Sequence, residues 1–87
     1  MHNNNKFYEF DADIRKTVIK NLRKIRKEKG YTQEDVALMS EISYGFYKGI
    51  ETGKKGFSVE TIYKLSIVLE VNLDFLFGKT NKKEISA

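Results

Sequence analysis

The chain has 87 residues, of which 16 are lysine or arginine and 12 are aspartate or glutamate, so its formal net charge is +4. A chain of this length forms one small domain, which excludes a two-lobed enzyme with a deep cleft. The absence of cysteine excludes disulfides, thiolate zinc sites and cysteine nucleophiles, and the positive charge favours a polyanionic partner.

The first predicted helix follows an N-terminal extension, residues 1–13, that shows no sustained hydrophobic period. Apolar residues then recur every three or four positions, which predicts an amphipathic helix that Asp13 caps and that ends near Gly30. Cations form a stripe on the opposite face: Lys16, Lys20, Arg23, Lys24 and Lys27. A solvated outer face is the simpler explanation of this stripe, because cations on the outside of a helix need no partner.

The second and third predicted helices are short and lie close together in the chain. Thr32 is a good N-cap for the second helix, which the residues "SEIS" bring to an end. Ser43 can cap the third helix, which runs from Tyr44 to about Thr52 and is stopped by Gly53. The inward pair of the third helix is Tyr47 and Ile50.

Two further helices complete the predicted domain. Ser58 caps a fourth helix with an apolar face, and Asn72 caps a last turn or two, "LDFLF", before Gly78. The sequence shows no alternating strand pattern, so it predicts an all-α domain of five helices over residues 14–78. We expect the polar tail, residues 79–87, to be mobile.

Two charged residues lie beside inward faces. Arg26 is four residues beyond Leu22 in the first helix, and Glu51 is four residues beyond Tyr47 in the third. Because a buried unpaired charge is too costly to keep, we expect Arg26 and Glu51 to form an ion pair across the core.

These features together resemble the Cro/phage-repressor type of helix-turn-helix domain, also called the XRE family. The resemblance rests on three runs, "LRKIRKEKGYTQEDVALMSEIS", "IETGKK" and "SVETIYKLSIVLEVNLDFLF", and covers most of the chain. It implies a compact five-helix lambda-repressor-like fold, in which Arg26 and Glu51 occupy the positions of the family's interhelical salt bridge. It also implies a sequence-specific transcriptional regulator that binds double-stranded DNA.

The resemblance implies which side chains face the DNA. Helix three enters the major groove in this family, so its outward positions would face base edges: Tyr44, Gly45, Lys48 and Gly49. Phosphate contacts would come from the start of helix two, both ends of helix three and the following loop: Thr32, Gln33, Ser43, Thr52, Lys54 and Lys55. Glu41 replaces the glycine often found between helices two and three, so that turn adopts either a left-handed residue or another shape.

Family members commonly act as two-fold dimers on inverted repeats, so a homodimer is expected here. The last helix is unusually apolar, and with Leu73 and Leu76 turned inward, Phe75 and Phe77 are the predicted dimer contacts. Phe7, Tyr8 and Phe10 form a second apolar segment, and the sequence leaves open whether it folds back on the domain or swaps to a partner.

The rival to DNA binding is a protein-binding module on the same fold, similar to an antitoxin or antirepressor. Its contact surface would combine the side chains of Leu38, Met39, Tyr44 and Phe46. We predict no enzymatic activity and no metal, cofactor or small-molecule site, because the only histidine is His2 and no catalytic constellation stands out. No apolar run approaches the length of a membrane span or a signal peptide, so the sequence predicts a cytoplasmic protein.

Overall fold

The computed structural model describes residues 12–85, and within that range it contains five α-helices and no strand. The helices are α1 (Ala12–Glu28), α2 (Gln33–Ser40), α3 (Tyr44–Thr52), α4 (Val59–Val68) and α5 (Leu73–Leu76). The predictions about His2 and the aromatic segment Phe7, Tyr8 and Phe10 lie outside the described residues.

Side-chain caps set where the central helices begin. Thr32 Oγ1 accepts a hydrogen bond from the Asp35 amide at 2.9 Å, and the Asp35 carboxylate accepts one from the Thr32 amide at 2.8 Å. The hydroxyls of Ser43 and Ser58 likewise accept from amides three residues later, at the starts of α3 and α4. Each cap satisfies a backbone donor that the helix itself leaves unpaired.

The turn between α2 and α3 takes the left-handed shape. Glu41 has φ 59° and ψ 39°, and its amide donates to the Leu38 carbonyl at 3.1 Å. The Ile42 amide donates to the Ala37 carbonyl at 3.1 Å, which closes the C-terminal turn of α2. A left-handed conformation costs a residue with a side chain roughly 1–2 kcal/mol, so the packing of α2 against α3 must hold it there.

The core lies where the five helices meet. It contains Val18, Leu22, Ile25, Val36, Ala37, Tyr47, Ile50, Phe57, Ile62, Leu65, Leu69, Val71, Phe75 and Leu76. α3 packs against α1 and α2, and α4 packs against α2 and α5. This arrangement supports α3 from behind and leaves its outer face exposed.

The observed packing of α5 differs from the packing that made Phe75 and Phe77 the predicted dimer contacts. Phe75 is buried with an exposed fraction of 7%, whereas Leu73 is only half-buried, and Phe77 packs partly against the same core. The cause is the docking of α5 on α1, where the Asn21 side-chain amide donates to the carbonyls of Phe75 and Leu76. A helix of one turn has no hydrophobic period, so only this contact decides which side faces inward.

The predicted cap of α1 is wrong, because Asp13 lies inside the helix rather than before it. The segment after Gly78 contacts the domain at Lys83, whose carbonyl accepts a hydrogen bond from the Asn72 amide at 2.7 Å. Lys83 Nζ also lies 3.1 Å from Glu28 Oε1. These two contacts join Lys83 to α1 and to the start of α5, and the mobility expected for residues 79–87 stays a prediction.

Candidate nucleic-acid interface

A buried polar cluster centred on Glu51 joins the first three helices. Arg26 of α1 makes a two-pronged ion pair with the Glu51 carboxylate, with Nε 2.7 Å from Oε2 and Nη2 3.1 Å from Oε1. Gln33 Nε2 donates to Oε1 at 3.0 Å, and the Tyr47 hydroxyl donates to Oε2. Arg26 Nη1 also donates to the Tyr31 carbonyl at 2.9 Å. The carboxylate therefore accepts four hydrogen bonds and ties α1 and α2 to α3.

The cluster keeps its groups in fixed protonation states. Burial by itself would raise the pKa of Glu51, but the hydrogen bonds from Arg26, Tyr47 and Gln33 outweigh it and hold that pKa below its ordinary value. Burial, together with the bond to Glu51, raises the pKa of Tyr47 far above its ordinary value. Glu51 therefore remains an acceptor and Tyr47 a donor at neutral pH.

Of the residues in this cluster, the sequence predicted only Arg26 and Glu51 as partners. Tyr47 was expected as an apolar core residue, and Gln33 only as a phosphate contact. Gln33 lies at the first position of α2 and is half-buried, because its amide nitrogen reaches Glu51. An amide nitrogen carries two hydrogens, so one donor of Gln33 is left for another acceptor. The spacing of Tyr47 and Glu51, one helical turn apart, was the available signal for the Tyr47 contact.

The outer face of α3 carries three of the four predicted base-facing positions. Tyr44, Gly45 and Lys48 are all exposed. Lys48 Nζ lies 5.8 Å from the centre of the Tyr44 ring, so the two side chains form one cationic and aromatic surface. Phe46 is half-buried and packs on the core, so it leaves this face.

Gly49, the fourth predicted base-facing position, does not lie on the outer face of α3, so this prediction is corrected. It is buried, and a β-carbon built at Gly49 would lie 2.3 Å from Lys55 Cγ and 3.0 Å from Lys55 Cβ. The Lys55 amide also donates to the Gly49 carbonyl at 2.9 Å. The glycine therefore lets the loop after α3 close over the helix. Gly45, in contrast, has no heavy atom within 4 Å of a built β-carbon.

The predicted phosphate contacts lie at the start of α2, at both ends of α3 and in the loop that follows α3. Thr32 and Ser43 are both exposed, although their hydroxyls are used as N-caps. The Thr52 hydroxyl donates to the Gly49 carbonyl at 3.2 Å, and Lys54 and Lys55 are exposed in the loop that follows. Because Lys55 packs on Gly49 and Gln33 on Glu51, the loop and the start of α2 are both attached directly to α3.

Residues 12–85 show no grouping of histidine, aspartate or glutamate side chains suited to a metal ion. No helix in that part of the chain has the length and apolarity needed to cross a membrane.

Comparison with known proteins identifies this arrangement of helices. A helix-turn-helix family model, HTH_3, matches residues 22–76. The chain is 38% identical over 60 residues to the HTH-type transcriptional regulator y4dJ of Sinorhizobium fredii, covering 69% of this chain and 78% of that protein. It is 35% identical over 63 residues to the control protein C.MunI of a Mycoplasma species, covering 71% of this chain and 85% of that protein.

A solved structure agrees with these matches. The restriction-modification controller protein C.AhdI from Aeromonas hydrophila superimposes with a TM-score of 0.69 and 33% identity, over 77% of this chain and all of that one. The matches confirm both the predicted resemblance and the predicted all-α, lambda-repressor-like fold. The chain belongs to the helix-turn-helix family of XRE-type transcriptional regulators, which are DNA-binding proteins and not enzymes.

Proposed function

We propose that this protein is a sequence-specific regulator that binds an inverted repeat in double-stranded DNA as a homodimer. The observation that carries the proposal is the outer face of α3, which is exposed and flanked by the two groups of predicted phosphate contacts. The Glu51 cluster fixes α3 relative to the start of α2, and the Gly49–Lys55 contact fixes it relative to the following loop. A rigid helix held between two phosphate-binding segments is what insertion into a major groove requires.

In this arrangement each segment has a separate task. The amides at the start of α2 and the cations of Lys54 and Lys55 bind backbone phosphates and set the depth and angle of α3. Tyr44 and Lys48 then contact base edges, with Gly45 allowing close approach of the backbone. Two side chains carry little sequence information, so DNA shape would supply part of the specificity.

The role of Lys54 can be tested through the salt dependence of binding. Lys54→Ala should weaken binding to all duplexes alike and reduce the slope of log affinity against log salt by about 0.9, the value for one lost phosphate contact. Fluorescence anisotropy titrations at several salt concentrations measure this slope. Lys82→Ala, which removes an exposed cation after α5, is the matched control. An unchanged slope in Lys54→Ala would remove this residue from the interface.

The burial of Phe75 moves the proposed dimer surface to α4. Val59, Tyr63 and Ile67 lie one turn apart on this helix and remain 41%, 56% and 53% exposed. If two copies of α4 pack antiparallel about an axis at Tyr63, Val59 contacts Ile67 of the partner subunit. Glu60 is then offset by two residues, about 3 Å along the helix, from Lys64 of the partner subunit, so the face is complementary to itself in charge.

We therefore expect Tyr63→Asp to convert the dimer to a monomer, because it places two like charges at the centre of the α4 contact. Sedimentation equilibrium at micromolar concentration distinguishes the two states. Ile85→Asp is the control, since it adds the same charge at an exposed apolar residue away from α4. A Tyr63→Asp protein that still sediments as a dimer would exclude this surface.

A protein-binding module remains the second candidate, and one observation favours it. Leu38 is 80% exposed near the end of α2, and two further residues of the predicted contact surface, Met39 and Tyr44, are 40% and 44% exposed. Selection from a pool of random duplexes at physiological salt separates the two functions. An enriched inverted repeat with half-sites about one helical turn apart supports the dimeric regulator. Failure to enrich any sequence supports the protein-binding module instead.

The matched control proteins support one further step in this proposal. C.MunI is named as a control protein, and C.AhdI as a restriction-modification controller. We propose that this chain, in the same way, controls the genes of a restriction-modification system.

A further inference from the structure

A basic groove lies between α1 and the C-terminal end of α3, beside the surface described above, and the two share Thr52. The groove is open to solvent and has a volume of about 700 Å³. The α1 wall carries Arg15, Lys16, Lys20 and Arg23 around the side chain of Ile19, and the α3 wall is formed by Glu51, Thr52 and Gly53. Three of these cations, Lys16, Lys20 and Arg23, belong to the stripe that the sequence predicted as a solvated face.

The side chains that line the groove are mostly cationic. Among residues 12–85 its lining includes one carboxylate, that of Glu51, which is 1% exposed and already accepts four hydrogen bonds within the buried cluster. Lys16, Lys20 and Arg23, in contrast, are exposed at the rim. Among the described residues, the groove therefore offers a ligand the three exposed cations of Lys16, Lys20 and Arg23.

The groove also continues the proposed DNA-binding surface. Gly53 caps α3 and immediately precedes Lys54 and Lys55 in the loop. A β-carbon built at Gly53 would lie 3.9 Å from Ile19 Cδ1, so α1 packs directly beside this end of α3. A DNA strand that leaves the loop lysines in this direction meets the cations of α1 next.

We propose that this groove binds the backbone phosphates of DNA that flanks the bases facing α3, an inference that rests on the proposed function. From Lys16 to Arg23 the helix rises by about 10 Å, at roughly 1.5 Å per residue. One strand of a duplex carries a phosphate about every 3.4 Å along its axis, so this length matches about three phosphates. The contact is independent of sequence, and it extends the bound site beyond the bases that α3 can reach.

The test compares two triple variants that remove the same charge. The first is Lys16→Ala, Lys20→Ala and Arg23→Ala in the groove; the second is Lys24→Ala, Lys79→Ala and Lys82→Ala, at exposed positions that do not line it. All of these substitutions are at exposed sites, and circular dichroism melts verify that both proteins fold. Each is titrated at several salt concentrations with a selected duplex and with the same duplex lengthened by five base pairs at each end.

We expect the groove variant to reduce the salt slope by about 2–3, at about 0.9 for each lost phosphate contact. Wild type and the control variant should bind the longer duplex more tightly, and the groove variant should lose that preference. Tight binding of the duplex with equal slopes in the two variants would overturn the groove inference while leaving the proposed function intact. Wild-type protein that binds no duplex would overturn the proposed function itself, and the groove inference with it.

Discussion

Glu51→Ala should lower the free energy of unfolding by about 3–5 kcal/mol, because it breaks a buried ion pair by removing one partner. Arg26 would keep its charge at a position where its side chain is only 11% exposed. The donors of Gln33 and Tyr47 would lose their acceptor at the same time. Denaturant unfolding followed by circular dichroism measures the change.

A surface ion pair of the same chemical type is the control for this experiment. Glu28 pairs with Lys83 at 3.1 Å, but both side chains are more than 40% exposed. Glu28→Ala should therefore cost less than about 1 kcal/mol. If Glu51→Ala were as stable as Glu28→Ala, the Arg26–Glu51 pair would contribute no more to the free energy of unfolding than a surface ion pair.

The same cluster has a defined pH dependence. Because the pKa of Glu51 is lower in the folded protein than its ordinary value of about 4.3, ionised Glu51 stabilises the folded state above that pH. This contribution is lost as the pH falls through the folded-state pKa. Glu51→Gln cannot ionise, so the stability difference between wild type and Glu51→Gln should be large at pH 7 and smaller at pH 3. A difference that is constant between these pH values would contradict the lowered pKa.

Gly49→Ala and Gly45→Ala should change stability in opposite directions, although both replace glycine by alanine in α3. The added methyl group at position 49 overlaps the start of the Lys55 side chain, whose own backbone is held by the Gly49 carbonyl. Such overpacking costs about 1–3 kcal/mol. At position 45 the methyl group meets no neighbour, and alanine is favoured over glycine in a helix by up to about 1 kcal/mol.

Both variants gain similar helix propensity, so the difference between their unfolding free energies isolates the overlap with Lys55. We expect Gly49→Ala to be less stable than Gly45→Ala by about 1–3 kcal/mol, measured by denaturant unfolding in the same buffer. Gly49→Ala should also weaken DNA binding, because the loop that carries Lys54 and Lys55 must move away from α3. Equal stability of the two variants would mean that the loop yields to the methyl group without cost.

The local features of the helices were predictable because they depend on neighbouring residues. The caps Thr32, Ser43 and Ser58 mark the starts of α2, α3 and α4, since a hydroxyl reaches an amide only three positions away. The periodicity of α1 predicted its inward face correctly at Val18 and Leu22. The pairing of Arg26 with Glu51 also followed from the sequence, because each helix by itself places its charge beside an apolar face.

The errors arose where a distant segment decides the environment of a residue. Gly49 was placed on the outer face by its helical angle, but the loop from Gly53 to Gly56 folds over it. Phe75 was assigned to the surface because a single turn has no period, and its docking on Asn21 buries it.

The sequence alone therefore determined the fold class, the order of the helices and the buried ion pair, since these follow from hydrophobic period, capping and the cost of an unpaired charge. The tertiary structure alone decided which surfaces remain accessible. These are the outer face of α3 without Gly49, the apolar face of α4 and the groove beside α1. Accessibility depends on which segments far apart in the chain pack together, and a single-sequence pattern carries no information about those contacts.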